Sequence, residues 1–181
     1  MRKVDALHFM ILWTVCSVCS SKAITILVYD YAALPAGQWA KAAADAGIVL
    51  AKAGYTATWV ACRGAEVQPE AATVCERELG ATDYVLRILP GERDRKQGIK
   101  RALAHSLVER DGGRYGTLFV DAIQVQAAGL NVSQRLILAY SAAHEVIHLL
   151  RGPAHSQSGV MKEYWTHGDA AAIAQLKLPV R

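Results

Sequence analysis

One short segment of the chain places two histidines and a glutamate at the spacing of a metal site: His144-Glu145-Val-Ile-His148. Residues four positions apart lie on the same face of a helix, so both imidazoles can bind a single metal ion. Zn²⁺ suits imidazole ligands and lowers the pKa of a bound water to about 7. Glu145 lies one position along, where it can reach that water as a general base without being a ligand.

The residues that follow predict a sharp turn that brings the chain back toward this site. Gly152 can adopt the left-handed conformation that ends a helix, and Pro153 cannot continue one. We expect His155 to be the third ligand, because a catalytic zinc keeps three protein ligands and one open position. Glu163 and His167 lie downstream in the same segment and are the alternatives for the third position. A structural zinc would need a fourth ligand, usually Cys, and the sequence has none nearby.

The segment from His144 to Met161 resembles the active-site region of the metzincin clan of zinc metalloproteases. It is more similar still to a group of short, exported bacterial predicted zinc proteases, which carry His-Leu-Leu-x-Gly and then His-Ser-x-x-Gly-x-Met. The resemblance implies a small metzincin-like domain with one zinc ion bound by His144, His148 and His155. It also implies that Glu145 is the general base and acid, and that Met161 belongs to the methionine turn beneath the metal.

One spacing departs from the metzincin pattern, because three residues rather than two separate His148 from Gly152. Other polar residues nearby have ordinary structural interpretations. Tyr164 is predicted to be a packed aromatic, although some metzincins use a tyrosine after the methionine to bind an oxyanion. His105, after a basic helix-like stretch, is predicted to lie on the surface, and Asp121 to lie in or end a strand.

The elements around this segment predict a single α/β (α+β) domain over residues 24–181, with a twisted sheet and a long active-site helix. Strands are predicted at residues 24–31, 56–62, 84–89 and 117–125, and helices at 38–53 and 132–150. Ser133 is the predicted N-cap of the last helix, and residues 91–100 are predicted to form a solvated loop. By analogy with the family, strand 117–125 would be an edge strand that pairs with an extended peptide substrate.

The first 23 residues have the pattern of a secretory signal peptide. Arg2 and Lys3 precede the uncharged apolar run Phe9–Cys19, and the small residues Ser21 and Ala23 then form a Ser-x-Ala cleavage site. The run is shorter than the ~20 residues of a transmembrane helix, although an uncleaved N-terminal membrane anchor is the alternative. We therefore expect an exported protein, either periplasmic or secreted.

The cysteine content agrees with export. Of the four cysteines, two fall within the signal peptide and leave Cys62 and Cys75 in the mature chain. A single pair in an exported domain predicts a disulfide, and two separate buried thiols are the alternative.

The composition excludes several classes of protein. A hydrophobic content of 52% excludes a disordered chain, and a formal net charge of +4 without clustered Lys and Arg does not indicate nucleic-acid binding. We expect a peptide or protein substrate, no nucleic-acid partner and no membrane span in the mature chain; the oligomeric state is not predicted. The predicted function is zinc-dependent hydrolysis of peptide bonds. The alternative is a non-catalytic, exported zinc-binding or scaffold protein with the same fold.

Overall fold

The computed structural model describes residues 21–91 and 102–180, and it has the mixed α/β fold that the sequence predicts. The predicted signal peptide lies outside the described residues except for residues 21–23, and the predicted loop 91–100 lies outside except for Gly91. The strands are β1 (Lys22–Asp30), β2 (Tyr55–Arg63), β3 (Asp83–Leu89), β4 (Ala104–Glu109) and β5 (Gly112–Phe119). The helices are α1 (Gln38–Lys52), α2 (Ala72–Glu76, after a 3₁₀ turn at Pro69–Ala71), α3 (Val120–Leu130), α4 (Gln134–Arg151) and α5 (His167–Ala174).

The five strands form one sheet in the order β2-β1-β3-β5-β4. Neighbouring strands are parallel, except that β4 runs antiparallel to β5 and lies at the edge of the sheet. Strand β1 sits inside the sheet, where Ile24, Ile26 and Val28 alternate onto the face that packs against the helices.

Helix α4 is the central element of the core and packs against α1, α3, β4 and β5. Every residue from Leu136 to Leu149 is buried, as expected for a helix that is covered on all sides. Ser133 caps it as predicted, because its side chain accepts a hydrogen bond from the amide of Leu136 at 3.4 Å. The buried hydroxyl of Tyr140 accepts a further bond from the amide of Leu178, which ties the C-terminal segment to this helix.

The prediction of one strand over residues 117–125 is wrong. Strand β5 ends at Phe119, and α3 begins at Val120. Val120, Ile123 and Ala127 are buried at spacings of three and four, so helical burial overrides the β-branched composition of the segment. Asp121 therefore lies in the first turn of α3, where its carboxylate accepts a bond from the amide of the next residue.

The edge strand β4 is not in the prediction. Its side chains alternate between partly buried and exposed positions, which is typical of a half-covered strand. His105 belongs to this strand rather than to a helix-like stretch, and it is exposed as predicted. The strand β5 that was expected at the edge instead lies between β3 and β4.

A disulfide joins Cys62 of β2 to Cys75 of α2, with their Cα atoms 5.5 Å apart. The bond attaches the short helix α2 to the sheet. None of the helices in residues 21–91 and 102–180 combines the length and the apolar character of a membrane span.

Candidate metal centre

Three histidines converge at the C-terminal half of α4 and the loop that follows it. The Nε2 atoms of His144 and His148 are 2.9 Å apart, and those of His148 and His155 are 3.2 Å apart. Zn–N bonds of about 2.0–2.1 Å in a tetrahedral site place ligand nitrogens about 3.3 Å from one another. The spacing of the three imidazoles therefore fits one zinc ion, and among the described residues these three form the group able to hold a metal.

The hydrogen bonds of the opposite ring nitrogens show that two of these imidazoles can present Nε2 to a cation. Nδ1 of His144 lies 2.8 Å from the carbonyl oxygen of Val160, and Nδ1 of His148 lies 3.0 Å from that of Gly152. A carbonyl oxygen only accepts hydrogen bonds, so each Nδ1 carries the proton and each Nε2 presents a lone pair. Two lone pairs that face each other at such a distance repel unless a positive ion lies between them. The same carbonyl bonds are the support that metal-binding histidines usually have.

Burial keeps these imidazoles in the neutral form that binds metals. Burial lowers the pKa of His144 to about 4, against a smaller opposing effect of its bond to Val160. The pKa of His148 is also lowered, again chiefly by burial. A proton shared between the two rings would need one of them to be charged, which this environment disfavours.

The turn at Gly152 positions both His148 and His155. Its φ of 91° and ψ of −173° lie in a region open essentially to glycine alone, and not in the left-handed helical region that the sequence analysis predicts. A Cβ atom at this position would overlap the carbonyl oxygen of Arg110. The chain can therefore leave α4 tightly against the β4–β5 hairpin, and His155 returns to the cluster.

The segment that contains Val160 and Met161 also supports His144. Val160 accepts the bond from His144, and its own amide donates to the carbonyl of Pro179 at 2.8 Å. The adjacent Met161 is buried, and its carbonyl accepts a bond from the amide of Ser156. Met161 thus lies in the turn that contacts the cluster; its role as the methionine of a methionine turn stays a prediction.

Glu145 lies beside the cluster and is 4% exposed. Burial raises the pKa of its carboxyl to about 7, and a hydrogen bond from Ser106 opposes this rise. The Ser106 hydroxyl on β4 is 2.6 Å from Oε2 of Glu145. Sequence reasoning missed Ser106, although the alternation of Ala104, Ser106 and Val108 before a turn was a signal for a strand with an inward-facing serine.

These groups line a cavity of about 340 Å³ between α4, β4 and the loop that carries His155. Glu163 also lines the cavity but is not in the three-histidine group, and His167 begins α5 outside the cavity lining. The predicted packing of Tyr164 is wrong, because its side chain is 49% exposed; its neighbour Trp165 is the buried aromatic. A hydrogen bond with Glu163 raises the pKa of Tyr164.

Comparison with known proteins gives a distant structural similarity. No protein-family model and no curated protein matches the chain. The solved structures include a similar one, the crystal structure of archaemetzincin from Methanopyrus kandleri, with 15% sequence identity and a TM-score of 0.46. The match covers 83% of this chain and 86% of that chain. The roles of the residues rest on the geometry of the site itself.

Proposed function

We propose that this protein is a zinc-dependent metallopeptidase whose zinc ligands are His144, His148 and His155. The observation that carries the proposal is the convergence of the three imidazole rings on one point. In His144 and His148, Nδ1 is bonded to a carbonyl oxygen, so that Nε2 is the nitrogen that faces the other rings. Three ligands that leave one side facing a cavity are the arrangement of a catalytic rather than a structural zinc site.

A bound zinc ion supplies Lewis-acid chemistry, since it polarises a carbonyl group and acidifies water. Glu145 accepts the proton of the attacking water and later donates it to the amine that leaves. Burial raises the pKa of this carboxyl, which favours the protonated form that the second step requires, and a bound cation beside it would favour the ionised form that the first step requires.

The edge of the sheet supports a peptide as the substrate. Strand β4 lies at the edge and contributes Ala104, Ser106 and Val108 to the cavity lining. An extended peptide can add to such an edge through main-chain hydrogen bonds, which would bring a scissile bond to the histidine cluster. The sequence analysis expected strand 117–125 to pair with the substrate, whereas we assign this pairing to β4.

We also propose export with cleavage after Ala23. The Cys62–Cys75 disulfide supports this proposal, since such bonds persist in oxidising compartments. Strand β1 begins at Lys22, so cleavage there would shorten the strand by its first two residues. Mass spectrometry of the protein from the cell envelope and medium tests it; an intact N-terminus would support the membrane-anchored alternative.

Two measurements on the purified protein test the proposed function: its zinc content and its cleavage of a peptide library. We expect one zinc per chain, loss of zinc in His155→Ala, and retained zinc without cleavage in Glu145→Gln. His167→Ala is the matched control, since it removes an exposed histidine outside the cluster. Zinc bound without cleavage of any peptide would favour the non-catalytic zinc-binding alternative. A chain that binds no zinc would refute the proposal altogether.

A further inference from the structure

The contact between Ser106 and Glu145 links the edge of the sheet to the active-site helix. The hydroxyl of Ser106 lies 2.6 Å from Oε2 of Glu145 and 3.2 Å from its main-chain carbonyl oxygen. The first distance is that of a strong hydrogen bond to a carboxylate. Ser106 therefore has two acceptors on a single residue of α4.

The contact distinguishes the two carboxylate oxygens of Glu145. The Ser106 hydroxyl donates to Oε2, so this oxygen is bonded to strand β4. The contact does not involve Oε1, which Ser106 therefore leaves accessible to another partner.

Gly116 lies beside this contact as the register partner of Ser106 on the adjacent strand β5. A Cβ atom at position 116 would lie 3.4 Å from the Ser106 hydroxyl and 3.5 Å from Cβ of Glu145, which are close to ordinary van der Waals distances. It would also lie 3.1 Å from a methyl group of Leu86, which would have to shift slightly. The contact is therefore closely surrounded by the buried face of β5.

We propose that Ser106 is a positioning residue for Glu145, which fixes one carboxylate oxygen to the edge strand and leaves the other available to the attacking water. This inference rests on the proposed function, because it assigns Ser106 a part in the same reaction.

Steady-state kinetics of Ser106→Ala test the proposal in the full zinc-loaded chain. We expect kcat to fall by about tenfold, in the range found for supporting hydrogen bonds in metal sites, with KM and bound zinc unchanged. Ser106→Thr retains the hydroxyl and should recover most of kcat. Thr117→Val is the matched control. Thr117 follows Gly116 on β5, and its hydroxyl accepts a bond from Arg87 of β3 rather than contacting Glu145, so its loss should leave kcat unchanged.

A double-mutant cycle of chemical unfolding provides a readout that does not depend on activity. Ser106→Ala should lower the unfolding midpoint in the wild-type background and have a smaller effect in a Glu145→Ala background. If no peptide is cleaved by the wild type, the proposed function fails while this cycle still tests the contact. Equal effects in both backgrounds, a kcat equal to that of wild type, or a change confined to KM would each overturn the positioning role.

Discussion

Gly152→Ala is predicted to damage both stability and zinc binding, because Gly152 combines a glycine-only backbone conformation with a close backbone contact. Its φ is 91° and its ψ is −173°. A side chain forced into this region costs about 1–3 kcal/mol. A Cβ atom would also lie 3.2 Å from the carbonyl carbon of Arg110 and overlap the attached oxygen, which is backbone and cannot rotate away. We expect a total loss of about 3 kcal/mol or more.

The same substitution should weaken the metal site. The carbonyl oxygen of Gly152 is the partner of Nδ1 of His148, at 3.0 Å. A displaced turn would lengthen this bond and move His155, which lies three residues further along the same loop. Loss of such a supporting bond typically reduces metal affinity about 10- to 100-fold.

Gly54→Ala is the matched control for this prediction. Gly54 also has a positive φ, of 87°, but a Cβ atom there would meet nothing within 4 Å. It should therefore show the backbone penalty alone, about 1–2 kcal/mol, with zinc affinity unchanged. Urea unfolding with zinc present and competition with a chromogenic chelator measure the two quantities. Equal destabilisation by the two variants, with wild-type zinc affinity in Gly152→Ala, would refute the reasoning.

Three further predictions concern stability. Tyr140→Phe leaves a buried main-chain amide without its acceptor and should cost about 1–3 kcal/mol in urea unfolding; no change would mean that the amide finds another partner. The hydrogen bond from Arg77 holds the pKa of Asp83 below its ordinary value. The ionised carboxylate therefore stabilises the folded state fully at pH values above the unfolded-state pKa of about 3.9. This stabilisation is lost as the pH falls through the lower pKa that Asp83 has in the folded state. The stability difference between wild type and Asp83→Asn should accordingly shrink on acidification, and a difference that grows would contradict this sign. Replacing Cys62 and Cys75 together by serine should cost about 3 kcal/mol, and a wild-type protein equally stable with and without reductant would argue against this.

Short-range patterns account for the parts of the structure that sequence reasoning predicted. In the segment 132–150, apolar residues repeat at helical spacing over many turns, and a serine can cap the first turn. The structure contains this helix as Gln134–Arg151. The strands near residues 24–31 and 84–89 are buried runs bounded by turn residues, and they shift by only one or two positions. Strand β4 was missed because it is short and half exposed, and α3 was misread because its residues suit either a strand or a helix.

The sequence by itself determined that His144, Glu145 and His148 lie together, because a spacing of four residues in a helix is local geometry. It also indicated where the chain would turn, since glycine and proline follow the helix directly. Only the tertiary structure decided what surrounds these residues. His155 rather than Glu163 or His167 completes the three-histidine group, the carbonyls of Gly152 and Val160 orient two of the rings, and Ser106 reaches Glu145 from a strand 39 positions earlier. These contacts depend on how separate elements pack, and no local periodicity encodes that packing.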